Sequence, residues 1–199
     1  MLNDSALIKN HFFDPRNVGD VDSPDGVGHS GSLSCGATVR ISIRVDEDRR
    51  IDPAQFKAAG CTVLVASASL LTEAIKGLTT AEAAAIARSP QTSLSALRSE
   101  TSADRFGCIA LACEALLAAI TQYSNTTRDE WEGDEALICT CFCVSERTIE
   151  HEIQRGGLQS ITQVTRSCSA GAGCGSCCSL IQELLDQYWR EDGFAAGLP

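Results

Sequence analysis

The sequence predicts two domains: an α+β domain with a small antiparallel sheet covered by helices, then a small all-α domain with a helix-turn-helix arrangement. Three observations lead to this prediction. Apolar and polar residues alternate early in the chain, helical spacing follows, and a polar, acidic segment then interrupts the pattern. Strands followed by helices are typical of an α+β domain. We place the first domain at 1–125, a linker at 126–136, the second domain at 137–192 and a tail at 193–199.

The first domain is predicted to begin with a short helix over residues 4–13. Asp4 or Ser5 is the candidate N-cap, and Pro15 stops the helix. The Gly-, Asp- and Ser-rich segment that follows, as far as Gly31, is predicted to be a loop.

Two paired strands are predicted next. From Ala37 to Val45 apolar residues alternate with Thr, Arg and Ser, which is the period of a strand with one buried face. The polar residues 46–50 supply a turn, and residues 51–60 are predicted to pair back as the second strand.

Three helices complete the first domain. The first covers 62–77 and is closed by Gly77, and the second begins with Thr80 as its N-cap. A polar stretch then leads to a long helix from about Ile109 to Tyr123.

The second domain is predicted to consist of three short helices. The first is capped by Ser145 and ended by Gly156 and Gly157, and the second lies within 158–164. Residues 179–189 place their apolar side chains on one helical face. A domain of about 60 residues usually needs a bound metal or another cross-link to stay folded.

Composition excludes several classes of function. Apolar residues make up 44% of the chain, enough for a core, and the formal net charge of −10 argues against nucleic acid as a main partner. No apolar run reaches the roughly 18 residues of a membrane span, and no secretory signal is visible, so we expect a cytoplasmic protein. Nothing resembles a nucleotide-binding loop, a hydrolase triad or a carboxylate pair, which predicts a non-enzyme.

The eleven cysteines are the main chemical signal. Their odd number and the missing export signal argue against disulfides and favour metal binding or reactive thiols. Cys35, Cys61 and Cys108 stand far apart, whereas seven cysteines crowd into 139–178. There a C-x-C and a C-x-x-C cluster can close one four-thiolate site, for zinc as well as for an iron–sulfur cluster.

Longer motifs resemble a known family over roughly residues 5–190. The scaffold domain of the NifU/IscU family of iron–sulfur cluster assembly proteins is similar to HFFDPRNVG, GSLSCGATVRISIRVD and FKAAGCTVLVASASLLTEAIKG. The ferredoxin-like central domain of NifU is similar to EALICTCFCVSERTIEHEI and AGAGCGSC. The third, cluster-carrier domain that usually ends NifU is not among the 199 residues.

The resemblance implies two cluster sites. A transient [2Fe–2S] cluster is expected on the residues that match the three scaffold cysteines, Cys35, Cys61 and Cys108. A permanent [2Fe–2S] cluster is expected on Cys139, Cys141, Cys174 and Cys177. The implied partners are a cysteine desulfurase and apo iron–sulfur proteins, and the resemblance suggests a homodimer.

Two other functions stay open at this point. One is an electron-transfer protein that uses a degenerate scaffold domain for docking. The other is an interaction protein stapled by zinc, which would be colourless and free of acid-labile sulfide.

Some residues depart from the family pattern. Ala37 replaces the usual Asp two residues after the first cysteine, and Gly107 replaces the His that often precedes the third. Because a carboxylate is a harder and more exchangeable iron ligand than a thiolate, its loss predicts slow cluster release or an incomplete site. The Pro-containing chaperone-recognition segment is also absent. Core packing is expected for Cys113, and bystander roles are expected for Cys143, Cys168 and Cys178.

Overall fold

The structure, a computed structural model, describes residues 5–47, 49–129 and 136–195. The chain forms two compact units, residues 1–125 and residues 126–199. The first unit combines an antiparallel sheet with helices, which confirms the predicted α+β class.

Three antiparallel strands form the sheet of the first unit, in the spatial order β1, β2, β3. They cover Gly26–Gly31 (β1), Thr38–Val45 (β2) and Ile51–Ala59 (β3). The strand predicted from the alternating pattern and the strand predicted to pair back on it are both present, as β2 and β3. The prediction of a loop up to Gly31 is wrong, because its last six residues form β1.

Close backbone packing explains why β1 is rich in glycine. The strand lies against helix α6, Phe106–Asp129. A Cβ atom on Gly28 would lie 1.9 Å from the carbonyl oxygen of Ala115, and one on Gly26 would lie 2.3 Å from that of Ala119. Glycine usually signals a loop, but in a strand it also marks a place where another backbone comes close.

Helices α1 (Ala6–Phe13), α2 (Thr62–Ala74) and α3 (Thr80–Arg88) lie at or near their predicted positions. Ser5 caps α1, as one of the two candidates. The predicted cap of α3 is wrong by one residue: Thr79 is the N-cap, in a capping box with Glu82.

The polar stretch before α6 is more ordered than predicted. It contains the short helices α4 (Pro90–Ser93) and α5 (Ser95–Ser99) and a 3₁₀ turn at Ala103–Arg105. Arg98 packs over the ring of Phe106, 3.8 Å from its centroid, which fixes this stretch against the start of α6.

Helix α6 is longer than predicted at both ends. It begins at Phe106 rather than Ile109 and ends at Asp129 rather than Tyr123, so the start of the predicted linker is helical. Residues 130–135 of that linker lie outside the described residues. By length and composition alone the segment Ala103–Arg128 is apolar enough to cross a membrane, a test that core helices also pass. Its buried side chains make it a core helix of this unit: Ile109, Ala112, Ala115, Leu116 and Ala119.

The second unit is mostly helical but not all-α. It opens with a two-stranded antiparallel pair, β4 (Leu137–Cys139) and β5 (Val144–Ser145), which the sequence analysis missed because the strands are so short. Helices α7 (Glu146–Gly156), α8 (Ile161–Cys168) and α9 (Cys178–Ala195) follow. Helix α9 therefore continues into the predicted tail.

The predicted ends of α7 are confirmed. The Ser145 hydroxyl accepts a hydrogen bond from the Thr148 amide, and Gly157 ends the helix with a φ of 58°. The indole N–H of Trp189 donates to the carbonyl of Leu158 over 2.9 Å. The fully buried apolar side chains of this small core, among the described residues, are Val144, Ile149, Ile153, Val164, Ala170 and Ile181.

The contact between β1 and α6 gives a test of the fold. Replacing Gly28 with Ala places a methyl group against the backbone of α6, so we expect the free energy of unfolding of the first unit to fall by about 2–3 kcal/mol. Hydrogen exchange of peptides from β2 and α2, followed by mass spectrometry in the full chain, measures this change.

Gly107→Ala is the matched control for Gly28→Ala. A Cβ there has open space around it, and Ala favours a helix over Gly by about 1 kcal/mol. An unchanged exchange pattern in Gly28→Ala would contradict the close packing described here.

Candidate metal centres

A cavity of about 700 Å³ brings the three widely spaced cysteines of the first unit together. It lies at the end of the sheet where β1 ends, β2 begins and β3 ends, since Gly31, Thr38 and Ala59 are neighbours in register. The polar and thiol side chains that line it are Ser32, Ser34, Cys35, Cys61, Asp104, Arg105, Cys108 and Glu114.

Cys35 lies in a closed turn between β1 and β2. The amide of Ser32 donates to the carbonyl of Ala37, and the amide of Gly36 donates to the carbonyl of Ser32, each over 2.8 Å. Gly36 has a φ of 69°, a conformation that costs glycine little. The turn leaves the Cys35 thiol exposed.

Cys61 and Cys108 form a thiol pair. Cys61 is the N-cap of α2, as the sequence predicts, whereas Cys108 lies within the first turn of α6 rather than before it. Their Sγ atoms are 3.0 Å apart, which is hydrogen-bonding distance for thiols, and both residues are half-buried.

One thiol of this pair is stabilised as the thiolate. Burial opposes ionisation of Cys61, but hydrogen bonds from the Cys108 thiol, from the Leu64 amide and from Arg105 outweigh it, so the pKa of Cys61 is lowered. Burial and the neighbouring Cys61 thiolate raise the pKa of Cys108 to about 12. Of the two thiols, Cys61 is therefore the one that loses its proton first.

Groups of the turn 32–37 make the Cys35 thiol more acidic. The hydroxyl of Ser32 and then the amide of Ala37 donate to the Cys35 sulfur, and together they lower the pKa of its thiol. The Ala37 side chain is 3% exposed and packs beside Gly60. At the position where the resemblance implies Asp, this chain thus supplies only a backbone amide and a buried methyl group.

The three thiols do not form a ready ligand set. Among the described residues, no three His, Cys, Asp or Glu side chains lie close enough together to hold a metal ion. The Sγ atoms of Cys61 and Cys108 are in contact, while Cys35 lines the same cavity from its exposed turn. Cys113 is 3% exposed, and burial raises its pKa to about 11, in keeping with the expected core role.

The second unit brings its two cysteine clusters together. The Sγ atoms of Cys141 and Cys174 are 3.6 Å apart, and Cys139 and Cys177 interact as a second pair. A Cβ atom on Gly173 would lie 2.7 Å from that of Cys141, so glycine lets the two segments meet. Cys139 lies at the end of β4, and Cys141 lies in the turn that follows.

The thiols of the second unit differ in acidity. The hydroxyl and amide of Ser176 donate to Cys174 and lower its pKa to about 7. Burial, together with the charge and the hydrogen bond of Cys139, raises the pKa of Cys177 to about 11. Four soft donors from two adjoining segments are the donor type of a four-thiolate group, for zinc as well as for an iron–sulfur cluster. As in the first unit, the described side chains do not lie close enough together to hold a metal ion without moving closer.

The remaining cysteines of this unit lie beside the four. Buried Cys143 and Cys168 contact the backbone carbonyls of Thr140 and Val164, at 4.0 and 3.3 Å. Cys178 begins α9, and its sulfur is 4.0 Å from the carbonyl of Gly171.

Several site residues were missed by the sequence analysis. Arg105 donates to the Thr62 hydroxyl over 2.7 Å and adds positive charge beside Cys61, and Ser32 and Ser176 each activate a thiol. Their nearness to a cysteine in sequence was the only available signal, because the contacts that give them a role arise from the fold.

An α+β unit with a thiol-lined cavity, followed by a small helical unit with four cysteines from two segments, is the arrangement of a protein that binds metal through thiolates. Family models match both parts: the NifU-like N terminal domain over residues 3–130, and the BFD-like [2Fe-2S] binding domain over residues 137–187. The chain belongs to the NifU-like family, and its second unit is a [2Fe–2S]-binding domain.

Curated relatives agree with this assignment. The chain is 38% identical over 185 residues to the nitrogen fixation protein NifU of Trichormus azollae. The aligned region covers 87% of this chain and 60% of that protein. It is 38% identical over 122 residues to the iron-sulfur cluster assembly scaffold protein IscU of Haemophilus influenzae, covering 60% of this chain and 94% of that protein. The chain thus spans about 60% of the length of the NifU relative.

A solved structure shares the fold of the first unit. The N-terminal part of a nitrogen-fixing NifU-like protein from Brucella abortus matches with a TM-score of 0.51 and 18% identity, over 61% of this chain and 94% of that one. A likeness at this identity concerns the fold alone.

The asymmetry of the thiol pair predicts a pH profile. In the metal-free full chain, iodoacetamide should label Cys61 with a midpoint below the ordinary thiol value of 9.0, because its thiolate persists to lower pH. Cys108, with a pKa of about 12, should stay unlabelled between pH 6 and 10. Mass spectrometry of the tryptic peptides measures both rates.

Cys61→Ser serves as the partner variant in this experiment. Removing the Cys61 charge should move the labelling of Cys108 to lower pH, while buried Cys113 stays unreactive as an internal control. Faster labelling of Cys108 than of Cys61 in the unsubstituted chain would overturn the assignment.

Proposed function

We propose that this protein is a scaffold that builds a transient [2Fe–2S] cluster on Cys35, Cys61 and Cys108 and passes it to apo-proteins. The observation that supports this most is the cavity that these three thiols line, in which hydrogen bonds lower the pKa of the Cys61 thiol and the Cys35 thiol is exposed. Membership of the NifU-like family supports the proposal.

Each cysteine has its own part in this scheme. A cysteine desulfurase delivers sulfur as a persulfide to a scaffold thiolate, and Fe²⁺ joins it. Cys61 offers a thiolate at the N-terminus of α2, where the backbone dipole favours negative charge. Cys108 yields its proton when a metal replaces it, and the exposed turn of Cys35 closes over the cargo and opens to release it.

We assign the [2Fe–2S] ligands of the second unit to Cys139, Cys141, Cys174 and Cys177. When bound, this cluster supplies one-electron chemistry. The chain itself brings the two cysteine segments together through Gly173, and Ser176 keeps Cys174 ready to lose its proton. Electrons from this unit would reduce persulfide sulfur to sulfide in the first.

The scheme makes the protein a non-enzyme whose partners are a cysteine desulfurase and apo iron–sulfur proteins. All eleven cysteines are free thiols in the structure, which suits a reducing cytoplasm.

Ala37 favours one alternative function. Since the cavity lacks a carboxylate at this position and the three thiols are not preassembled, the first unit would then serve only for docking, and the second would act as an electron carrier. Such a protein donates no cluster to an apo-ferredoxin, whereas a scaffold does.

Metal content tests the second site. The full chain purified without air should contain iron and acid-labile sulfide, and Cys174→Ser should lose one [2Fe–2S] equivalent because a ligand is missing. Cys143→Ser is the matched control and should keep its cluster. Zinc without sulfide in the unsubstituted protein would contradict this assignment.

Cluster release tests the first site. Ala37→Asp adds a hard, exchangeable oxygen ligand, so it should speed transfer from the desulfurase-loaded chain to apo-ferredoxin at least severalfold. Ala37→Asn has nearly the same shape without the charge and should resemble the unsubstituted protein. Transfer that survives replacement of Cys35, Cys61 and Cys108 together would overturn the scaffold function.

A further inference from the structure

The thiols of Cys61 and Cys108 lie close to the geometry of a covalent bond. Their Sγ atoms are 3.0 Å apart, nearer than the 3.6 Å between Cys141 and Cys174 in the second unit. The S–S bond of a disulfide is about 2.05 Å long, so the two sulfurs are about 1 Å from bonding distance. Both residues are free thiols in the structure. The pair is therefore placed for a second chemistry besides metal binding.

The fold holds this pair from both sides. Cys61 is the N-cap of α2, and Cys108 lies in the first turn of α6. Arg105, directly before α6, donates a hydrogen bond of 2.7 Å to the hydroxyl of Thr62, the first residue of α2. This bond joins the starts of the two helices. Small changes in the χ1 angles of the two cysteines then bring the sulfurs together while the helices stay in place.

A small molecule can reach the two thiols. Both residues are half-buried and line the cavity of about 700 Å³. Beside Cys108, a Cβ atom on Gly107 would meet no other atom within 4 Å, so the space next to this thiol is open. Cys113, one turn further along α6, is only 3% exposed. An oxidant of the size of hydrogen peroxide therefore has access to Cys61 and Cys108 but not to Cys113.

The two thiols also differ in the way that thiol oxidation requires. The lowered pKa of Cys61 gives it the thiolate that attacks an oxidant. The charge of that thiolate is one cause of the high pKa of Cys108. Oxidation of Cys61 removes the charge and so makes the neighbouring thiol more reactive. An accessible thiol of low pKa beside a second thiol is the usual arrangement of redox-sensing cysteines.

Cys35 is the competing thiol in the same cavity. It is the more exposed of the three, but its sulfur accepts hydrogen bonds from the Ser32 hydroxyl and the Ala37 amide. In the part of the chain that the structure describes, the thiol-to-thiol hydrogen bond of this cavity joins Cys61 and Cys108. The geometry therefore favours a bond between these two over any bond to Cys35.

We propose that Cys61 and Cys108 are a redox pair that hydrogen peroxide closes to a disulfide. The Cys61 thiolate attacks one oxygen of the peroxide and the O–O bond breaks. Cys61 becomes a sulfenic acid, and the hydroxide that leaves takes up a proton to become water. The Cys108 sulfur then attacks the sulfenic sulfur: the S–S bond forms, the S–O bond breaks, and a second water leaves. Two electrons pass from the two thiols to the peroxide.

This bond switches off the first metal site, an effect that rests on the scaffold function proposed above. The thiolate is the form of cysteine that binds metal, and the disulfide removes two of the three thiolates of the site. Cys35 alone then faces the cavity as a free thiol. A thiol reductant reopens the bond by exchange and restores the site.

Mass spectrometry of the oxidised chain tests the pair. The full chain, purified without air, receives an equimolar amount of hydrogen peroxide, followed by catalase and iodoacetamide. The tryptic peptides 58–76 and 106–128 should become cross-linked, at least about tenfold faster than any peptide that carries Cys35. Peptide 106–128 also contains Cys113. Cys113→Ser is therefore the matched variant and should form the same cross-link at the same rate.

A second variant traps the intermediate. In Cys108→Ser the sulfenic acid on Cys61 has no thiol to resolve it, so dimedone should label Cys61 after peroxide treatment. Cys35→Ser keeps the pair and should show the cross-link with no dimedone on Cys61. A cross-link of the unsubstituted chain that runs mainly through Cys35, or Cys61 oxidised beyond the sulfenic acid without a cross-link, would overturn the redox pair.

Binding of Fe²⁺ separates the switch from the scaffold function. The visible absorbance of the second unit's cluster is followed, so that only chains with this cluster intact are compared. Peroxide treatment should weaken Fe²⁺ binding at the first site at least about tenfold, and dithiothreitol, removed before the measurement, should restore it. Unchanged Fe²⁺ binding in the cross-linked chain would contradict the switch. A chain that shows both changes, yet donates no cluster to apo-ferredoxin, supports the redox pair and contradicts the scaffold function.

Discussion

The contact between the backbones of β1 and α6 is the constraint on which the first site depends. Gly26 and Gly28 let the helix lie directly on the strand, and Ser30 and Glu114 add a hydrogen bond of 2.7 Å across the same interface. Because α6 carries Cys108 in its first turn, this contact sets the distance from Cys108 to Cys61, at the start of α2. A side chain between strand and helix would separate the two thiols.

The two units handle their thiols differently. In the first, two half-buried thiols are in contact and the third lies exposed on a turn. In the second, four thiols from two segments lie in two pairs, with glycine where the segments meet. The units therefore differ in how their thiols are paired and exposed, since among the described residues neither holds a preformed set of three metal ligands.

The helices and strands that are marked by local sequence patterns were predicted correctly. The predictions failed where contacts between residues far apart in sequence determine the structure. Alternation identified β2, the polar turn after it indicated β3, and capping residues identified α1 and α7, because these signals are local. Strand β1 was missed since the reason for its glycines lies in α6, nearly ninety residues away. The cysteines of both sites were chosen from spacing and resemblance, and their ligand roles stay predictions. The role of Arg105 beside Cys61 could not be predicted, because it is visible only from the hydrogen bond of Arg105 to Thr62.

The contact between the backbones of β1 and α6, which has no side chain at Gly26 or Gly28, also limits how this site can evolve. Where two side chains are in contact, one can be replaced by a larger residue and the other by a smaller one in the course of evolution. Such paired substitutions shift a helix by small steps. Gly26 and Gly28 have no side chain that could become smaller, and any side chain added there would collide with a carbonyl oxygen of α6. The position of α6 on β1, and with it the position of Cys108, is therefore hard to change by small steps. The residues of the flanking loops are under no such constraint. Ala37 in its turn and Arg105 before α6 are the kind of change that remains open.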